Sequence, residues 1–284
     1  MAVMVQELTP GWSGAGTTTV QPAALFLIRL LAALAPSLAA NVYIVGLNQL
    51  TDIDIDRINK PSLPLACGDF SVAQGGWIVA LTGCGALLMA LPQGPILFGT
   101  VGLSMLIGSI YSLQPIRLKR FPFWAAFCIV GVRGVVVNLG FFSHFSGFWK
   151  PLDFPAEVWA LSGFVVLFSV AIALFKDIPD LEGDRQYRVR TLTVRLGRHA
   201  VFRICRWVLV TCYLLLLCLG SSGILTSVQL ILFLISHLGL LALMWRGSKT
   251  VNLNNNVSLS NYYQFIWKLF FCEYILFPLA CLLN

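Results

Sequence analysis

Three observations predict an all-α polytopic membrane protein. The 284-residue chain is 58% hydrophobic and only 11% charged, whereas a soluble domain carries roughly 25% charged residues. Its apolar residues lie in continuous runs long enough to cross a bilayer as helices, without the alternation of barrel strands. The acidic residues are not scattered over a solvated surface: seven of the twelve Asp and Glu fall in two short blocks, Asp52–Asp56 and Asp177–Asp184.

Residues 1–21 are polar, rich in Gly and Thr, and free of Lys and Arg. They read as a tail ahead of one transmembrane domain, 22–284. With no basic segment before a short apolar core, no cleaved signal peptide is expected. The first span covers about 22–50, and Pro36 is expected to kink or split it. Seven more follow at about 76–92, 94–113, 122–144, 156–176, 200–221, 226–246 and 262–283, giving about eight transmembrane helices.

The connections alternate in character. Those after odd-numbered spans are long and basic, with Arg57 and Lys60, then Arg117, Lys119 and Arg120, then five arginines between 185 and 198, then Lys249. Those after even-numbered spans are short, and Lys150 is their one basic residue. The positive-inside rule therefore puts both acidic blocks on the same, cytoplasmic-type side. For arginines 185, 188, 190, 195 and 198 a role in setting topology is sufficient. A helix ending in an acidic block before a basic loop occurs twice, which fits either two related helical halves or coincidence. The eight cysteines form no C-x-x-C pair and sit mostly in apolar runs, so they read as packing residues and neither zinc nor disulfides are expected. The net charge of +7 suits loops facing an anionic leaflet or a diphosphate. No basic stripe or RNA-type aromatic motif points to nucleic acid.

On a helix Asn48, Asp52 and Asp56 share one face, while Asp54 points elsewhere. Asp177, Asp180 and Asp184 share another, with Pro179 expected to kink or restart the helix among them. Carboxylates crowded near a membrane boundary repel one another, and a bound cation removes that cost. The blocks are expected to face each other and hold divalent metal. Oxygen ligands with no histidine nearby favour Mg²⁺, which takes one or two carboxylates and completes its shell with water and phosphate. Solvated helix ends are the plainer explanation, yet Asp52 and Asp56 follow the C-terminal end of a span, where the helix dipole opposes them.

Lys60, Arg117, Lys119 and Arg120 are predicted on the same side, and metal with Lys or Arg forms a clamp for a diphosphate. Spans rich in Phe, Leu and Trp suit a long hydrocarbon. The substrate implied is an isoprenyl diphosphate. Arg133 lies within the fourth span, where a charge is functional by default; by position, Arg133 or Asn138 would orient an acceptor carboxylate. His144, His199 and His237 read as structural. Lys268 and Glu273 read as snorkelling side chains rather than a cavity-lining pair, and Tyr and Trp near span ends read as interface belts.

Asn48-Gln49-x-x-Asp52-x-x-x-Asp56 and Asp177-x-x-Asp180-x-x-x-Asp184 resemble the two Asp-rich motifs of the UbiA-type intramembrane aromatic prenyltransferases. The runs 41–71, 111–121, 132–140, 174–197 and 262–274 look like the homogentisate phytyltransferase branch of cyanobacteria and plastids, and the resemblance spans about 41–284. It implies nine helices around a central lipid-open cavity. Here eight are counted, and residues 1–40 lack the family's Arg-Pro-His-Thr-like motif.

By resemblance, Asn48, Asp52 and Asp56 hold one Mg²⁺, and Asp180 and Asp184 another with support from Asp177. Arg117, Lys119, Lys176 and Arg57 or Lys60 grip the diphosphate, with Tyr111 beside it. Asp52, Asp56, Asp180, Asp184 and Lys119 are the residues expected to carry catalysis. The implied reaction moves a phytyl group from prenyl diphosphate to the aromatic acceptor homogentisate, with loss of CO₂, towards tocopherol. Its setting would be the lipid bilayer of a cyanobacterial inner or thylakoid membrane, or a plastid membrane. A geranylgeranyl or solanesyl donor, or a chlorophyllide or 4-hydroxybenzoate acceptor, is the nearest alternative. A lipid or ion transporter is a further one, disfavoured because its acids should lie near mid-membrane. Nothing in the sequence indicates an oligomeric state.

Overall fold

The computed structural model describes residues 23–147, 153–187, 189, 191–221 and 227–282. The polar tail, Lys150, Arg188 and Arg190 lie outside the described residues. Among those described, every regular element is helical. In chain order these are α1 (Ala23–Asn59), a short α2 (Pro64–Cys67), α3 (Val72–Ala90), α4 (Pro95–Ser112), α5 (Pro122–Val130), a π-helical segment (Gly131–Val137), α6 (Asn138–Ser146), α7 (Ala156–Phe175), two short helices α8 (Leu181–Gln186) and α9 (Leu192–Leu196), α10 (Arg198–Leu219), α11 (Ser227–Lys249) and α12 (Asn256–Leu282). Eight stretches are long and apolar enough to cross a membrane, the fourth being α5, the π segment and α6 in one run, Pro122–Ser146. The chain is an integral membrane protein.

Two spans differ from expectation. α1 continues past residue 50 to Asn59, carrying the whole first acidic block on a helix, and α12 begins at Asn256 rather than 262. Pro36 does not split α1. Proline removes the N–H that would bond the carbonyl of Ala32, a costly loss in a membrane. Gln93 restores the balance: its Nε2 donates to the Ala32 carbonyl at 2.8 Å. Next to the proline, the Ser37 hydroxyl donates to the Ala33 carbonyl at 2.7 Å.

The chain divides into two compact units, one of residues 10–128 with 140–149 and the other of 129–139 with 150–284. In the first, α1 packs along α3 and α4. Small residues let the backbones approach, as membrane helices require when water supplies no driving force. A Cβ on Gly83 would meet the Tyr43 ring at 2.7 Å, and one on Gly108 would meet Ile44 at 2.8 Å. The Tyr43 hydroxyl hydrogen-bonds Ser109 Oγ at 2.7 Å.

In the second unit α7 is the central helix, contacted by the π segment, α10 and α12, while α11 lies against both α10 and α12. Phe164, Phe168, Ile172 and Phe175 of α7 are buried against Tyr213, Leu209, Ile266 and Phe270. Gly134 admits α7 closely, since a Cβ there would stand 2.5 Å from Val166 Cγ2 and 3.0 Å from its Cα.

Glu273 does not snorkel. It is wholly buried and accepts a 2.8 Å hydrogen bond from, or shares a proton with, Nε2 of the equally buried His237. His237 also stacks on Phe233, with ring centroids 3.9 Å apart. The reason is position: Glu273 lies too far inside α12 for its short side chain to reach a polar boundary, so a partner across the α11–α12 contact replaces water. Removing one member of a buried pair leaves the other stranded. Glu273→Ala and His237→Ala are each expected to cost roughly 3–5 kcal/mol, and the double replacement by leucine less than either. Thermal unfolding of the purified protein in detergent measures this, and additive losses would show the two side chains to be uncoupled.

Candidate functional site

The first acidic block sits on the last turns of α1. Asn48 Nδ2 donates to Ser112 Oγ of α4 at 3.3 Å. Asp52 is held by two cations from the loop after α4: Arg117 Nη2 lies 2.7 Å from Oδ1 and Lys119 Nζ 2.7 Å from Oδ2. All three side chains are largely shielded from solvent, at 11–18% exposure. Thr51 completes the arrangement, its hydroxyl accepting from Lys119 Nζ at 2.9 Å and its carbonyl from Arg117 Nη2 at 3.3 Å. Arg117 holds its place with a left-handed backbone, φ 41°, a conformation costing a non-glycine residue roughly 1–3 kcal/mol. Tyr111 lies with its ring centroid 6.0 Å from Lys119 Nζ.

Asp56 is buried at 8% exposure, one helical turn beyond Asp52. Asp54 lies off that face, as expected, and is exposed with Arg57: the two form a pair at 3.0 Å. Lys60 is exposed as well.

The second block follows α7. Pro179 restarts the helix, so α7 ends at Phe175 and α8 begins at Leu181 with Asp180 at its N-terminal cap position. Asp180 and Asp184 are buried, at 8% and 7% exposure, and Lys176 lies 3.7 Å from Asp177. Burial, then the charges of Asp177 and Asp180, push the Asp184 carboxyl up to about 7 from an ordinary 3.8, against a hydrogen bond from Thr191 and the charge of Lys176. A carboxyl so disfavoured as an anion marks a place where negative charge is under-compensated. All-oxygen donors under that condition suit a hard divalent cation. Among the described residues no three His, Cys, Asp or Glu side chains stand close enough to enclose a metal by themselves. Further along, Arg198 reaches Glu182 at 3.7 Å.

Arg133 and Asn138 flank Gly134 in the second unit. The Arg133 guanidinium lies over the Trp267 ring at 4.5 Å. Asn138 accepts from the Tyr274 hydroxyl at 2.9 Å. Thr51, Thr191, Ser112, Trp267 and Tyr274 were not singled out from sequence. Thr51 sits between two named residues of the first block, and that adjacency was the one available signal; the others are brought in by tertiary packing.

The two ion pairs of the first block differ in burial, and so in weight. Asp52→Asn strands two shielded cations beside each other and is expected to cost about 1–3 kcal/mol of stability. Asp54→Asn breaks an exposed i, i+3 pair and should fall within about 0.5 kcal/mol of the parent. Paired melting curves check the contrast, and equal shifts would show that Arg117 and Lys119 do not depend on Asp52.

The profile of the UbiA prenyltransferase family matches residues 9–269. The chain is 50% identical over 268 residues to a Synechocystis protein named homogentisate phytyltransferase, covering 94% of this chain and 86% of that one. It is 41% identical to a homogentisate geranylgeranyltransferase of Triticum aestivum, covering 87% of this chain and 62% of that protein. Among solved structures, a UbiA homolog from Archaeoglobus fulgidus bound to DMAPP and Mg²⁺ superposes with a TM-score of 0.59 at 18% identity, over 99% of this chain and 92% of that one. This likeness extends to the fold. Two acidic blocks on an all-helical membrane scaffold, and a family profile matched over nearly the whole chain, place this protein in the UbiA prenyltransferase family.

Proposed function

We propose that residues 22–284 act as one catalytic domain that transfers a phytyl group from its diphosphate to homogentisate, with loss of CO₂, in a Mg²⁺-dependent reaction of tocopherol synthesis. The observation that carries this reading is the 50% identity to the Synechocystis homogentisate phytyltransferase. Mg²⁺ and prenyl diphosphate come from the solved A. fulgidus relative, which was bound to DMAPP and Mg²⁺. The cyanobacterial source of one relative supports a thylakoid or other cyanobacterial membrane, and a chloroplastic relative from Arabidopsis thaliana supports a plastid membrane.

In the reaction the C–O bond to the diphosphate breaks and the diphosphate leaves with the electron pair. A ring carbon of the acceptor forms the new C–C bond and gives up its proton. The side-chain carboxylate leaves as CO₂, and a proton takes its place on the side-chain carbon. Charge therefore develops on the departing diphosphate and, transiently, on the allylic carbon.

Asn48, Asp52, Asp56, Asp180 and Asp184, with Asp177 in support, would hold Mg²⁺, which when bound neutralises the leaving group as a Lewis acid. Arg117 and Lys119 supply the matching protein cations. They already converge on one carboxylate at 2.7 Å, and a diphosphate offers the same oxygen geometry with more charge. Lys176, Lys60, Arg57 and Tyr111 are assigned to the diphosphate as well, with Arg57 drawn from its exposed pair with Asp54. Aromatic and aliphatic side chains keep water from the allylic cation, which it would otherwise capture.

A geranylgeranyl donor is the second reading, favoured by the 41% identity to the wheat enzyme named for that tail. Membranes containing the protein, given Mg²⁺, homogentisate and a panel of prenyl diphosphates, should yield the phytylated, decarboxylated quinol as the main product by mass. A geranylgeranyl product in excess would transfer the assignment to the second reading, and no prenylated quinol from any donor would overturn both. EDTA should abolish turnover and added Mg²⁺ restore it.

Asp184→Asn separates chemistry from folding. A carboxyl whose folded value lies above its unfolded one penalises the metal-free fold as pH rises from 3.8 to about 7, and the full penalty remains above that. At pH 8 the amide should therefore leave metal-free thermal stability equal or higher while prenyl transfer falls by roughly two orders of magnitude or more. Activity within a few-fold of the parent would remove Asp184 from the site.

A further inference from the structure

We infer that Arg133, set on the Trp267 ring and flanked by the Asn138–Tyr274 pair, is the receptor for the acceptor's carboxylate and so restricts this enzyme to aromatic acids. The inference deepens the proposed reaction and rests on it for the identity of the acid.

Arg133 belongs to the π-helical segment Gly131–Val137, in the middle of a membrane span. A π segment inserts an extra residue into a helix and re-aims the side chains around it, commonly at functional sites. Here Gly134 packs against Val166 of α7, while its neighbour Arg133 is presented to α12. The guanidinium centre stands 4.5 Å from the Trp267 ring centroid and 5.8 Å from that of Phe270. Its Nη1 is buried and meets no hydrogen-bond acceptor among the described residues. The ionisable groups bearing on it are Tyr263 and Tyr274. Hydroxyls and ring faces thus surround a full positive charge at membrane depth, and among the described residues no carboxylate forms an ion pair with it.

Such an arrangement is costly unless a counter-charge arrives. The Trp267 ring lies 4.5 Å from the guanidinium centre, and the unpartnered Nη1 is a donor that a carboxylate oxygen can accept from. Asn138 is committed to Tyr274 through its Oδ1 at 2.9 Å, and its amide nitrogen donates to the Gly134 carbonyl at 3.2 Å. This bridge ties α12 to the π segment and steadies both sides of Arg133.

The surroundings also suit the aromatic part of the ligand. Tyr263, Trp267, Phe270 and Tyr274 recur at the spacing of one face of α12. At the outer end of this row Tyr263 stacks on Phe175, with centroids 5.8 Å apart and planes 1° from parallel. Phe175 is the last residue of α7, two before Asp177. Between Tyr263 and Trp267 lies one helical turn, roughly 6 Å of rise, about the reach of one ring with a short acidic side chain. A carboxylate on Arg133 therefore lays the ring along aromatic faces in the direction of the second acidic block.

The test compares two acceptors, homogentisate and methylhydroquinone, which share the quinol ring and differ in the carboxylate. Arg133→Gln should lower kcat/KM for homogentisate by roughly ten- to a hundred-fold, the range expected for losing a charged hydrogen-bond pair. The loss should fall mainly on the acceptor KM, leave the donor KM in place, and exceed the loss with methylhydroquinone by about ten-fold or more. Arg133→Lys, keeping charge without the planar fork, should lie between the parent and the glutamine variant. Equal losses with both acceptors, or an unchanged acceptor KM, would overturn the inference.

Binding decides the matter without turnover. In the presence of Mg²⁺ and inorganic diphosphate, homogentisate should quench tryptophan fluorescence saturably in the parent, weakly in Arg133→Gln, and with reduced amplitude in Trp267→Phe. No saturable quenching in the parent counts against the inference. Should the parent prenylate a different aromatic acid and not homogentisate, the same comparison with that acid and its decarboxylated analogue still judges Arg133, while the homogentisate reading alone falls.

Discussion

A polar group inside a membrane must find its partner within the protein, because the bilayer core offers none. Much of this molecule's organisation follows from that constraint. Pro36 lies within the longest helix and frees the Ala32 carbonyl, and Gln93 at the end of the next span donates to it. Glu273 is buried within α12, and His237 meets it from α11 at 2.8 Å. Asp52 stands at the end of a span where the helix dipole disfavours it, and two cations close on its oxygens. Arg133 departs from the pattern. Its charge lies over the Trp267 ring and forms no ion pair with a carboxylate among the described residues.

The fold was legible because a membrane span is written in one dimension. Length and apolar continuity located eight helices, and the structure recovers eight at nearly the same places. Helical spacing likewise put Asp54 on a different face from Asp52 and Asp56, and the exposed pair with Arg57 shows that face to be the outer one. Pro179 was marked as a break, and the chain restarts its helix immediately after it. Interactions across helices were not legible. Pro36 looked like a point of fracture because its remedy, Gln93, lies 57 residues away in sequence. Glu273 looked like a snorkelling side chain because its histidine is 36 residues upstream. The π segment had no signature beyond a glycine next to an arginine, and its contact with α7, Gly134 against Val166, joins residues 32 apart in sequence.

The two acidic blocks are alike in sequence and unlike in their electrostatics. In the first, Arg117 and Lys119 compensate Asp52 directly, and Thr51 holds both cations in register. In the second, Lys176 stands 3.7 Å from Asp177, and burial, then the charges of Asp177 and Asp180, raise the Asp184 carboxyl to about 7. In the proposed reaction, a block that carries its own cations would admit a diphosphate by exchange, the phosphate oxygens replacing a carboxylate that already accepts from the same donors. Around Asp184, where burial and the charges of Asp177 and Asp180 outweigh Thr191 and Lys176, an external cation would stabilise the anion. Similar motifs thus differ in what compensates their carboxylates: two neighbouring side-chain cations on Asp52, and a hydrogen bond from Thr191 with the charge of Lys176 on Asp184. Asp52 is held by one donor from each of two residues, Arg117 on Oδ1 and Lys119 on Oδ2, and in the proposed reaction the same two donors would meet two oxygens of a phosphate.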